Sequence, residues 1–479
     1  MKFLPPVKNL LKIILETAKK KKVKLYLVGG YLRDTLLQKE KENLDIDFCL
    51  KSGAIKFAHT LSRKMKAGFV VLDKTHGCAR IVKRIKDKIY TLDFTDFRGK
   101  TLEDDLKHRD FTINALSLEL DKVFLDEKLD NLLIDPYQGK KDLKAKIIRL
   151  VNKKGFDEDP LRILRAFSLS AIFGFKIDQP TLELTRLKRK KLSGVSGERL
   201  RDELFKILDG PEAFRYLAQL DKLKILQDII PEIEIMRGVK QGPYHHLDVW
   251  KHTLETARQL ELCIAEQNNN PEVRGYLDEF ISSNRRRRAL IKLGALLHDI
   301  GKPSALRREN GKIKFHGHER IGLDITRNIA LRLKLSNDES DSLEKMVLWH
   351  LRPGYLADNA EITPRAIFRY FRDTDKECVS TLLLSIADQR STKGPLTSRT
   401  SRIHHEKVVL GLIKEYFKRK KQKRPPRLIN GDDLIKKFKL EPSPLIGRIL
   451  SEIEELQAIG KIKSKKIALA KARQIILKA

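Results

Sequence analysis

Cysteine is scarce in this chain, with 4 residues among 479. Cys49, Cys78, Cys263 and Cys378 lie far apart and form no CxxC pair. A disulfide framework or a zinc knuckle requires cysteines at short, recurring spacings. The sequence therefore predicts neither kind of site.

Long hydrophobic runs are missing as well. No stretch approaches the roughly 18 apolar residues that cross a bilayer, and the first residues lack the charged-then-apolar pattern of a signal peptide. No internal repeat of fixed period is present. We therefore expect a cytoplasmic protein that makes no membrane contact.

Acidic residues are few beside the basic ones. The chain has 64 Asp and Glu against 98 Lys and Arg, which gives a formal net charge of +34. The basic excess gathers in runs at 186–191, 285–288 and 418–427. Such runs favour a polyanionic partner, RNA, tRNA or DNA, although a host with a lysine-rich proteome would also raise the charge.

The hydrophobic pattern changes along the chain, and 479 residues are too many for a single core. Up to about residue 143, short apolar strands (24–28, 44–50, 69–72, 80–82 and 89–94) alternate with helices at 10–18 and 31–37. Beyond that point apolar residues recur every three or four positions, which indicates helices. We predict an α/β domain at 1–150 and helical domains at 151–237, 238–400 and 401–479.

The turn Gly29-Gly30 and the pair Asp45 and Asp47 carry the strongest chemical signal. Residues two apart in a strand share one face, so both carboxylates project together. Carboxylates so placed can hold Mg²⁺ beside a nucleoside triphosphate. A lone DxD is usually a solvated strand edge, but the preceding strand, glycine turn and helix favour a catalytic site.

The residues around this pair support phosphate binding. Two glycines let the backbone approach a phosphate, and the N-terminus of the next helix offers N–H donors, with Gly30 at its start. Arg33, in the first turn of that helix, has a guanidinium suited to phosphate oxygens. Asp93, on a neighbouring predicted strand, is our candidate for a third carboxylate.

A third signal is the segment 158–165. Asp159, Arg162 and Arg165 are three residues apart, which predicts that they share a helix face. An aspartate accepts from an exocyclic amine and an arginine donates to a ring acceptor, so together they match the edges of cytosine and adenine. Uracil and guanine would leave buried groups unpaired. The alternative is an ion pair on a solvated helix.

These elements occur in a fixed order with further motifs at 108–116, 135–143 and 196–203. In this order they resemble the class II CCA-adding enzyme and bacterial poly(A) polymerase family, within the DNA polymerase β nucleotidyltransferase superfamily. The resemblance covers about residues 20–210. It implies a polymerase-β-type nucleotidyltransferase head at 1–150 and an all-α neck at 151–237.

The resemblance also implies roles for individual residues. Asp45 and Asp47 would be catalytic and bind Mg²⁺, and Asp159 and Arg162 would select CTP and ATP. The triphosphate and sugar would be held by Gly30, Arg33, Arg109 and Arg165.

Histidines concentrate in the second half of the chain, where seven of the twelve lie between residues 245 and 350. His298 and Asp299 end an apolar helical stretch, 293–297. Adjacent helical side chains diverge by about 100°, so a metal would lie between them. His252 and Asp388 on other helices complete a ligand set, which His318 and His350 would extend to two metals. We expect His316 and His404 to be core residues.

This ligand pattern resembles the HD phosphohydrolase superfamily, in which a divalent metal, here Mn²⁺, Ni²⁺ or Mg²⁺, activates water. It implies an HD domain at 238–400. Such a site would act as a phosphatase or a 2′,3′-cyclic phosphodiesterase. The segment 401–479 resembles the C-terminal region of the CCA-adding family, which implies a basic helical RNA-binding tail; the alternative is a plain solvated helix face.

The sequence thus predicts a template-independent enzyme that adds nucleotides to RNA 3′ ends, most simply the CCA end of tRNA from CTP and ATP. A poly(A) polymerase, or an enzyme that adds only C or only A, is an alternative within the same fold. An alternative of another class is an HD phosphohydrolase or RNA-binding protein with a dormant head. The sequence does not indicate the oligomeric state.

Overall fold

The structure is a computed structural model that describes residues 5–39, 44–125, 128–282, 284–359, 361–422 and 426–477. The chain forms two compact units. Unit 1 comprises Met1–Val195 and Leu223–Asp228, and unit 2 comprises Ser196–Lys222 and Ile229–Ala479. Within the described residues, no helix combines the length and apolarity that a membrane span requires.

Unit 1 begins with a six-stranded sheet. Its strands are β1 (Tyr26–Val28), β2 (Leu44–Leu50), β3 (Gly68–Asp73), β4 (Cys78–Ile85), β5 (Lys88–Asp96) and β6 (Ser117–Glu119). Their order is β3-β4-β5-β2-β1-β6. Strands β2 and β5 are parallel, and all other neighbours in this sheet are antiparallel. Strand β2 is therefore an interior strand, between β1 and β5.

Four helices accompany this sheet: α1 (Pro5–Lys20), α2 (Gly30–Leu36), α3 (Ala54–Met65) and α4 (Leu102–Lys107). Phe48 of β2 stacks on Phe94 of β5 with ring centroids 4.8 Å apart, and Phe57 of α3 tilts against Phe94 at 5.5 Å. Burying a phenylalanine side chain contributes about 1.5–3 kcal/mol. These rings hold one face of β2 against α3, and the opposite face remains for polar groups.

The rest of unit 1 is mostly helical. Its elements are α5 (Leu129–Leu132), α6 (Gly139–Ala145), β7 (Ile147–Ile148), α7 (Gly155–Glu158), α8 (Arg162–Phe173), β8 (Lys176–Ile177) and α9 (Gln179–Lys188). Strands β7 and β8 form a short parallel pair. Helix α8 buries Ile163, Leu164 and Phe167, so its apolar face anchors the segment that carries Arg162 and Arg165.

Unit 2 is built from helices. They are α10 (Gly197–Asp209), α11 (Ala213–Lys222), α12 (Leu226–Ile229, at the boundary of the units), α13 (Val249–Glu266), α14 (Pro271–Asp278), α15 (Arg287–Leu297), α16 (Lys302–Ala305), α17 (His318–Arg332), α18 (Asn337–Trp349), α19 (Arg352–Ala357), α20 (Pro364–Thr374), α21 (Cys378–Ser391) and α22 (Arg399–Lys421). Two hairpins interrupt them, β9 (Phe280–Ser282) with β10 (Arg285–Arg286), and β11 (Arg307–Glu309) with β12 (Lys312–Lys314).

Helices α13, α15 and α21 pack together at the centre of unit 2. Helix α21 is buried at every position from Cys378 to Ala387. A helix that is apolar on all sides is stable only inside a protein. Its burial positions the half-exposed Asp388, the next residue, near α13 and α15.

The chain ends with α23 (Gly431–Phe438), α24 (Pro444–Ala458) and α25 (Lys465–Ile476). These three helices have a small apolar core of their own that includes Leu434, Ile449, Ile453 and Ala472. The described part of the tail is therefore folded, and its lysines lie mostly on the exposed sides of its helices.

The fold class predicted from the sequence is confirmed, with an α/β head followed by helical regions. The strand predicted at 44–50 has these bounds in the structure, and the other predicted strands lie within β1, β3, β4 and β5 or overlap them. Beyond residue 143 the short pairs β7–β8, β9–β10 and β11–β12 are exceptions to the helical pattern. Strands of two or three residues are too short to show alternation. The residue bounds of the four predicted domains remain predictions.

Candidate active site and metal centre

Asp45 and Asp47 lie on β2, on the face opposite the phenylalanine core. Ile46 between them is fully buried, whereas Asp45 is exposed and Asp47 half-buried. This is the alternation that a strand imposes. The two carboxylates therefore project together from the head, as the sequence predicts.

Gly29 brings the backbone against this site. It has a φ of +75°, and a Cβ placed there would lie 2.8 Å from Asp47 Oδ2 and 3.1 Å from Arg109 Nη1. Such a φ is unfavourable for residues with a Cβ, and the short distances would force the two side chains apart. Glycine is needed here because Asp47 and Arg109 approach the turn so closely.

The environment of Asp47 favours its protonated form in the absence of a cation. Burial raises the pKa of the Asp47 carboxyl to about 6; Arg109 opposes this rise, while the charges of Asp93 and Asp45 add to it. Carboxylates that repel one another can ionise together only when a cation lies among them. This clustering is suited to a divalent metal.

Asp93 lies on β5 directly beside Asp47 in the parallel register. It accepts two hydrogen bonds from Arg80 of β4, from Nε and Nη2, each 2.7 Å long. Its carboxylate is thus near the predicted pair but is held by a guanidinium. Its role as a third metal ligand remains a prediction.

Arg109 extends alongside Asp47. Its Nε and Nη2 donate to Asp105 Oδ2 at 3.4 and 3.3 Å, and Asp105 is itself only 3% exposed. The Asp105 carboxylate therefore orients the guanidinium. The structure places Arg109 where a triphosphate beside Asp47 would need a positive charge.

Arg33 occupies a different environment from the one expected of a phosphate ligand. It is 5% exposed, and it donates from Nε to Asp34 at 2.8 Å and from Nη1 to Asn114 at 2.5 Å. Its guanidinium also lies 4.4 Å from the centre of the Phe173 ring. A Cβ placed at Gly30 would lie 3.3 Å from Arg33 Nη2, so the guanidinium is close to the glycine turn. Phosphate binding by Gly30 and Arg33 remains a prediction.

The expectation that Asp159, Arg162 and Arg165 share a helix face is wrong for Asp159. This residue precedes Pro160 and has extended torsion angles, φ −145° and ψ 97°, between α7 and α8. A residue before proline is disfavoured in the helical region because the proline ring clashes with it. Helix α8 begins only at Arg162.

Arg162 is buried at the start of α8. Its guanidinium donates to the backbone carbonyls of His108 at 2.6 Å and Gly155 at 3.3 Å. It thereby holds the turn that carries Arg109. Arg165, one helical turn further on, is more exposed and pairs with Asp110 at 2.8 Å. Base selection by Asp159 and Arg162 remains a prediction.

The ligand set predicted in unit 2 comes together at one point, which we call the HD cluster: His252, His298, Asp299, His318, His350 and Asp388. His252 Nε2 lies 2.9 Å from Asp388 Oδ1 and 3.5 Å from Asp299 Oδ2. His298 Nε2 lies 3.2 Å from Asp299 Oδ2. His252 lies on α13 and Asp388 on α21, and His298 and Asp299 directly follow α15. His318 is the first residue of α17, and His350 directly follows α18. Five helices of unit 2 thus bring the cluster together.

Asp299 connects two groups of possible metal ligands. One comprises His252, His298 and Asp299, and the other Asp299, His318 and His350. His318 Nε2 and His350 Nε2 lie 3.4 and 3.7 Å from Asp299 Oδ1. One aspartate thus contributes an oxygen to each candidate group. Binding of two ions remains a prediction.

Three of the histidines are oriented by the backbone carbonyl of the residue three positions earlier in the chain. The Nδ1 atoms of His298, His318 and His350 lie 2.9, 2.8 and 2.6 Å from the carbonyl oxygens of Ala295, Phe315 and Val347. An Nδ1–H that donates to a carbonyl leaves Nε2 as the free lone pair, the usual state of a ligating histidine. Among the described residues, the buried His298 Nε2 has no hydrogen-bond partner, which fits a metal ligand.

Lys302 adds a positive charge to the HD cluster. Its Nζ lies 2.7 Å from Asp299 Oδ2 and donates to Gln241 Oε1 at 2.7 Å. Burial tends to raise the pKa of Asp388, but hydrogen bonding to His252 and nearby positive charge hold it well below the usual range. The cluster thus combines carboxylate and imidazole groups that could hold a divalent metal, and the identity of that metal remains a prediction.

Two other histidine predictions are wrong. His316 and His404 are exposed and are not core residues. The residue after His404, His405, is buried instead. Adjacent positions of α22, such as His404 and His405, point about 100° apart, and residue type alone does not show which of them faces the core.

Comparison with known proteins covers both units of the chain. Family models match the chain at residues 25–149 (Poly A polymerase head domain), 174–236 (RNA and SrmB-binding site of polymerase A), 249–393 (HD domain) and 326–472 (tRNA nucleotidyltransferase domain 2). An A-adding tRNA nucleotidyltransferase of Deinococcus radiodurans is 30% identical over 91% of this chain and 92% of that protein. The chain belongs to the tRNA nucleotidyltransferase family.

Other proteins similar to this nucleotidyltransferase have names that describe the addition of CC or CCA. A CC-adding tRNA nucleotidyltransferase of Synechocystis sp. is 28% identical over 94% of this chain and 93% of that protein. A CCA-adding enzyme solved with CTP has a TM-score of 0.65 at 22% identity, covering 99% of this chain and 96% of that one. A Thermotoga maritima CCA-adding enzyme solved with tRNA has a TM-score of 0.63 at 22% identity, over 99% and 96%. The two solved structures show that the fold is shared.

The sequence does not reveal the side chains that hold the predicted site residues of this nucleotidyltransferase in place. These are Arg80, Asp105, Asp110 and Asn114 in the head and Gln241 and Lys302 in unit 2. A signal existed for Lys302, which follows Asp299 by three residues, and for Asp105, which precedes Arg109 by four. No sequence signal pairs Arg80 with Asp93, because the pairing depends on strand register.

Proposed function

We propose that this nucleotidyltransferase adds the terminal nucleotides of the CCA end to tRNA, with CTP and ATP as substrates. The observation that supports this most is the common face of Asp45 and Asp47 beside the glycine turn and Arg109. Relatives whose names describe A addition and CC addition to tRNA support the substrate.

In this proposal the residues of the head have distinct tasks. Asp45 and Asp47 would hold Mg²⁺, which when bound supplies charge neutralisation for the phosphates and acidity for the 3′-hydroxyl. The triphosphate and sugar would be held by Gly30, Arg33, Arg165 and Arg109, which Asp105 orients. Asp159 and Arg162 would read the base, with Arg162 also fixing the turn before Arg109.

The test is an incorporation assay on four RNAs. They are tRNA lacking CCA, tRNA ending in C, tRNA ending in CC, and oligo(A), each offered one labelled nucleotide at a time. CCA addition predicts C incorporation on the first two and A incorporation on the third. Failure to extend any tRNA, with or without Mg²⁺, would overturn the proposal.

The same assay separates the alternatives within the fold. An enzyme that adds only A would extend only the tRNA ending in CC, and one that adds only C would extend the first two tRNAs without A. A poly(A) polymerase would extend oligo(A) repeatedly.

We also propose that the HD cluster is a metal-dependent phosphohydrolase site. The supporting observation is the buried, hydrogen-bond-free Nε2 of His298 beside Asp299, with His252 and Asp388 near it. Substrates of the kind expected are phosphate monoesters and 2′,3′-cyclic phosphates at RNA ends. Lys302 would face the negative phosphate.

Hydrolysis of 2′,3′-cyclic AMP tests this second activity. The protein would be freed of metal and then supplied with Mn²⁺, Ni²⁺ or Mg²⁺ in turn. We expect turnover with at least one ion and loss of turnover on chelation. Absence of turnover with all three, in protein that still incorporates nucleotides, would overturn the HD proposal alone.

A further inference from the structure

Two adjoining cavities in unit 2, of about 570 and 690 Å³, lie between helices α18, α19 and α20 and the tail helix α24. Trp349, Arg352, Arg365 and Arg369 line both cavities. Shared walls make them one continuous depression, which we call the arginine groove. Neither proposed activity uses it.

The groove is positively charged. Its arginines are Arg320, Arg352, Arg365, Arg369, Arg372 and Arg448, and they outnumber its acids, Glu319, Asp373, Glu452 and Glu455. Arg320 and Arg448 are exposed and have no ion pair in the described part of the chain. A concave surface with excess guanidinium groups attracts phosphate oxygens.

Two carboxylates arrange these guanidinium groups in pairs. Asp373 accepts from Arg352 at 2.6 Å and from Arg372 at 2.8 Å. Glu455, on α24 and only 2% exposed, accepts from Arg365 and from Arg369, the latter at 2.8 Å. Each carboxylate neutralises one of the two arginines that it contacts. Each group of two arginines and one carboxylate therefore keeps one net positive charge, and the carboxylate fixes the positions of both guanidinium groups.

Two aromatic residues, Trp349 and Tyr355, also line the groove. Tyr355 is 63% exposed. The Arg352 guanidinium lies 5.0 Å from the Trp349 ring centre, so it stacks beside a second aromatic surface. Cationic side chains interleaved with accessible aromatic faces are the pattern by which proteins bind single-stranded nucleic acid.

We propose that the arginine groove binds a short segment of single-stranded RNA. Phosphates would lie along the arginines, and an unpaired base would stack on Tyr355. A duplex hides its base faces, and an acidic peptide would leave the aromatic wall unused. Glu319 and Trp349 are the sequence neighbours of His318 and His350, so the bound strand would lie along the helices that carry the HD cluster. This inference goes beyond the proposed activities and does not require either.

The test measures binding of the full-length protein to a labelled single-stranded RNA hexamer by fluorescence anisotropy. Losing one stacked base costs about 1–3 kcal/mol, so we expect Tyr355→Ala to weaken binding by roughly fivefold to 150-fold. We expect the double variant Arg320→Glu/Arg448→Glu to weaken it at least as much and to reduce its salt dependence. Both changes lie at exposed positions, so folding is preserved, as circular dichroism would verify.

The matched control is Arg399→Glu, which reverses the same charge at an exposed position of α22 outside the groove. It should leave hexamer binding within about twofold of the wild type. A hexamer carrying 4-thiouridine should crosslink to Tyr355 or Trp349. Equal affinity in wild type and groove variants, or crosslinks confined to unit 1, would overturn the proposal.

Two further ligands determine whether the groove recognises single strands. A 12-base-pair RNA duplex should bind with the same affinity before and after Tyr355→Ala. If duplex binding falls as far as hexamer binding, the surface is a general backbone contact and the proposal is wrong. The same conclusion follows if poly-glutamate displaces the hexamer from the wild type and the Tyr355→Ala variant equally.

Discussion

In the head, the carboxylates that we assign to Mg²⁺ stand on a strand face that is partly open, whereas in unit 2 the histidines of the HD cluster are almost fully buried. The head residues are held by other charged side chains, such as Asp105 on Arg109 and Arg80 on Asp93. Three of the HD histidines, His298, His318 and His350, are held by backbone carbonyls. A site that must admit a triphosphate and an RNA end needs open, exchangeable contacts, and a compact metal centre gains from rigid ones.

Replacing Asp47 by Ala should affect the head most severely. Loss of a metal-binding carboxylate removes several kcal/mol of transition-state stabilisation, so incorporation into tRNA should fall by roughly a thousandfold or more. The measurement is single-turnover incorporation with saturating nucleotide. Hydrolysis of 2′,3′-cyclic AMP by the same preparation is the control and should be unchanged.

The reverse pattern is expected for Asp299→Ala. Because Asp299 contributes to both ligand groups, the variant should lose bound Mn²⁺ or Ni²⁺ and nearly all cyclic phosphate hydrolysis, by roughly a hundredfold or more. Metal content by mass spectrometry and turnover are measured together. Since removal of a buried carboxylate can also destabilise unit 2, Lys302→Gln serves as a second variant that spares the ligands. Parallel loss of nucleotide incorporation in both variants would contradict the separation of the two sites.

Asp93 and Arg80 provide a finer comparison within the head. If Asp93 contributes to metal binding, Asp93→Asn should lower the incorporation rate by roughly tenfold to a hundredfold through lost charge stabilisation. We expect Arg80→Gln, which removes only the partner, to lower it by less than about tenfold. Equal losses in the two variants would instead mean that Asp93 serves mainly to anchor Arg80.

The smallest effect concerns pH. With a pKa of about 6, the Asp47 carboxyl is ionised above pH 6 and protonated below it. Protons and Mg²⁺ compete for it, so Mg²⁺ affinity should fall by about tenfold for each pH unit below 6. Calorimetric Mg²⁺ titration at several pH values measures this, and Asp47→Asn should remove the dependence.

The same shift has a consequence for stability. A carboxyl whose folded pKa exceeds its unfolded value favours folding at low pH and loses that contribution as pH rises through about 6. Metal-free wild-type protein should therefore lose stability relative to Asp47→Asn over this range, measured by thermal unfolding. Identical pH profiles for the two proteins would show that Asp47 titrates normally.

The two regions were predictable from sequence to different degrees. Asp45 and Asp47 were identified together with their strand and common face, because residues two apart in a strand have only one arrangement. The three-residue spacing predicts a helical position for Asp159. This prediction is wrong because Pro160 disfavours the helical conformation in the residue before it. The sequence predicts the HD residues as one ligand set that His318 and His350 extend to two metals. That Asp299 belongs to both candidate groups follows only from the structure.

Strand alternation, helix periodicity and the order of the motifs are local properties, and the amino-acid sequence by itself determined them, along with the excess of positive charge. Which distant groups meet was decided by the tertiary structure alone. Arg80 faces Asp93 through strand register, Arg162 reaches the carbonyl of His108 through burial of α8, and Glu455 joins Arg365 and Arg369 through packing of α24 on α20. These pairings arise because burial brings together residues that are far apart in the chain, and a buried charge must find a partner wherever the packing places one.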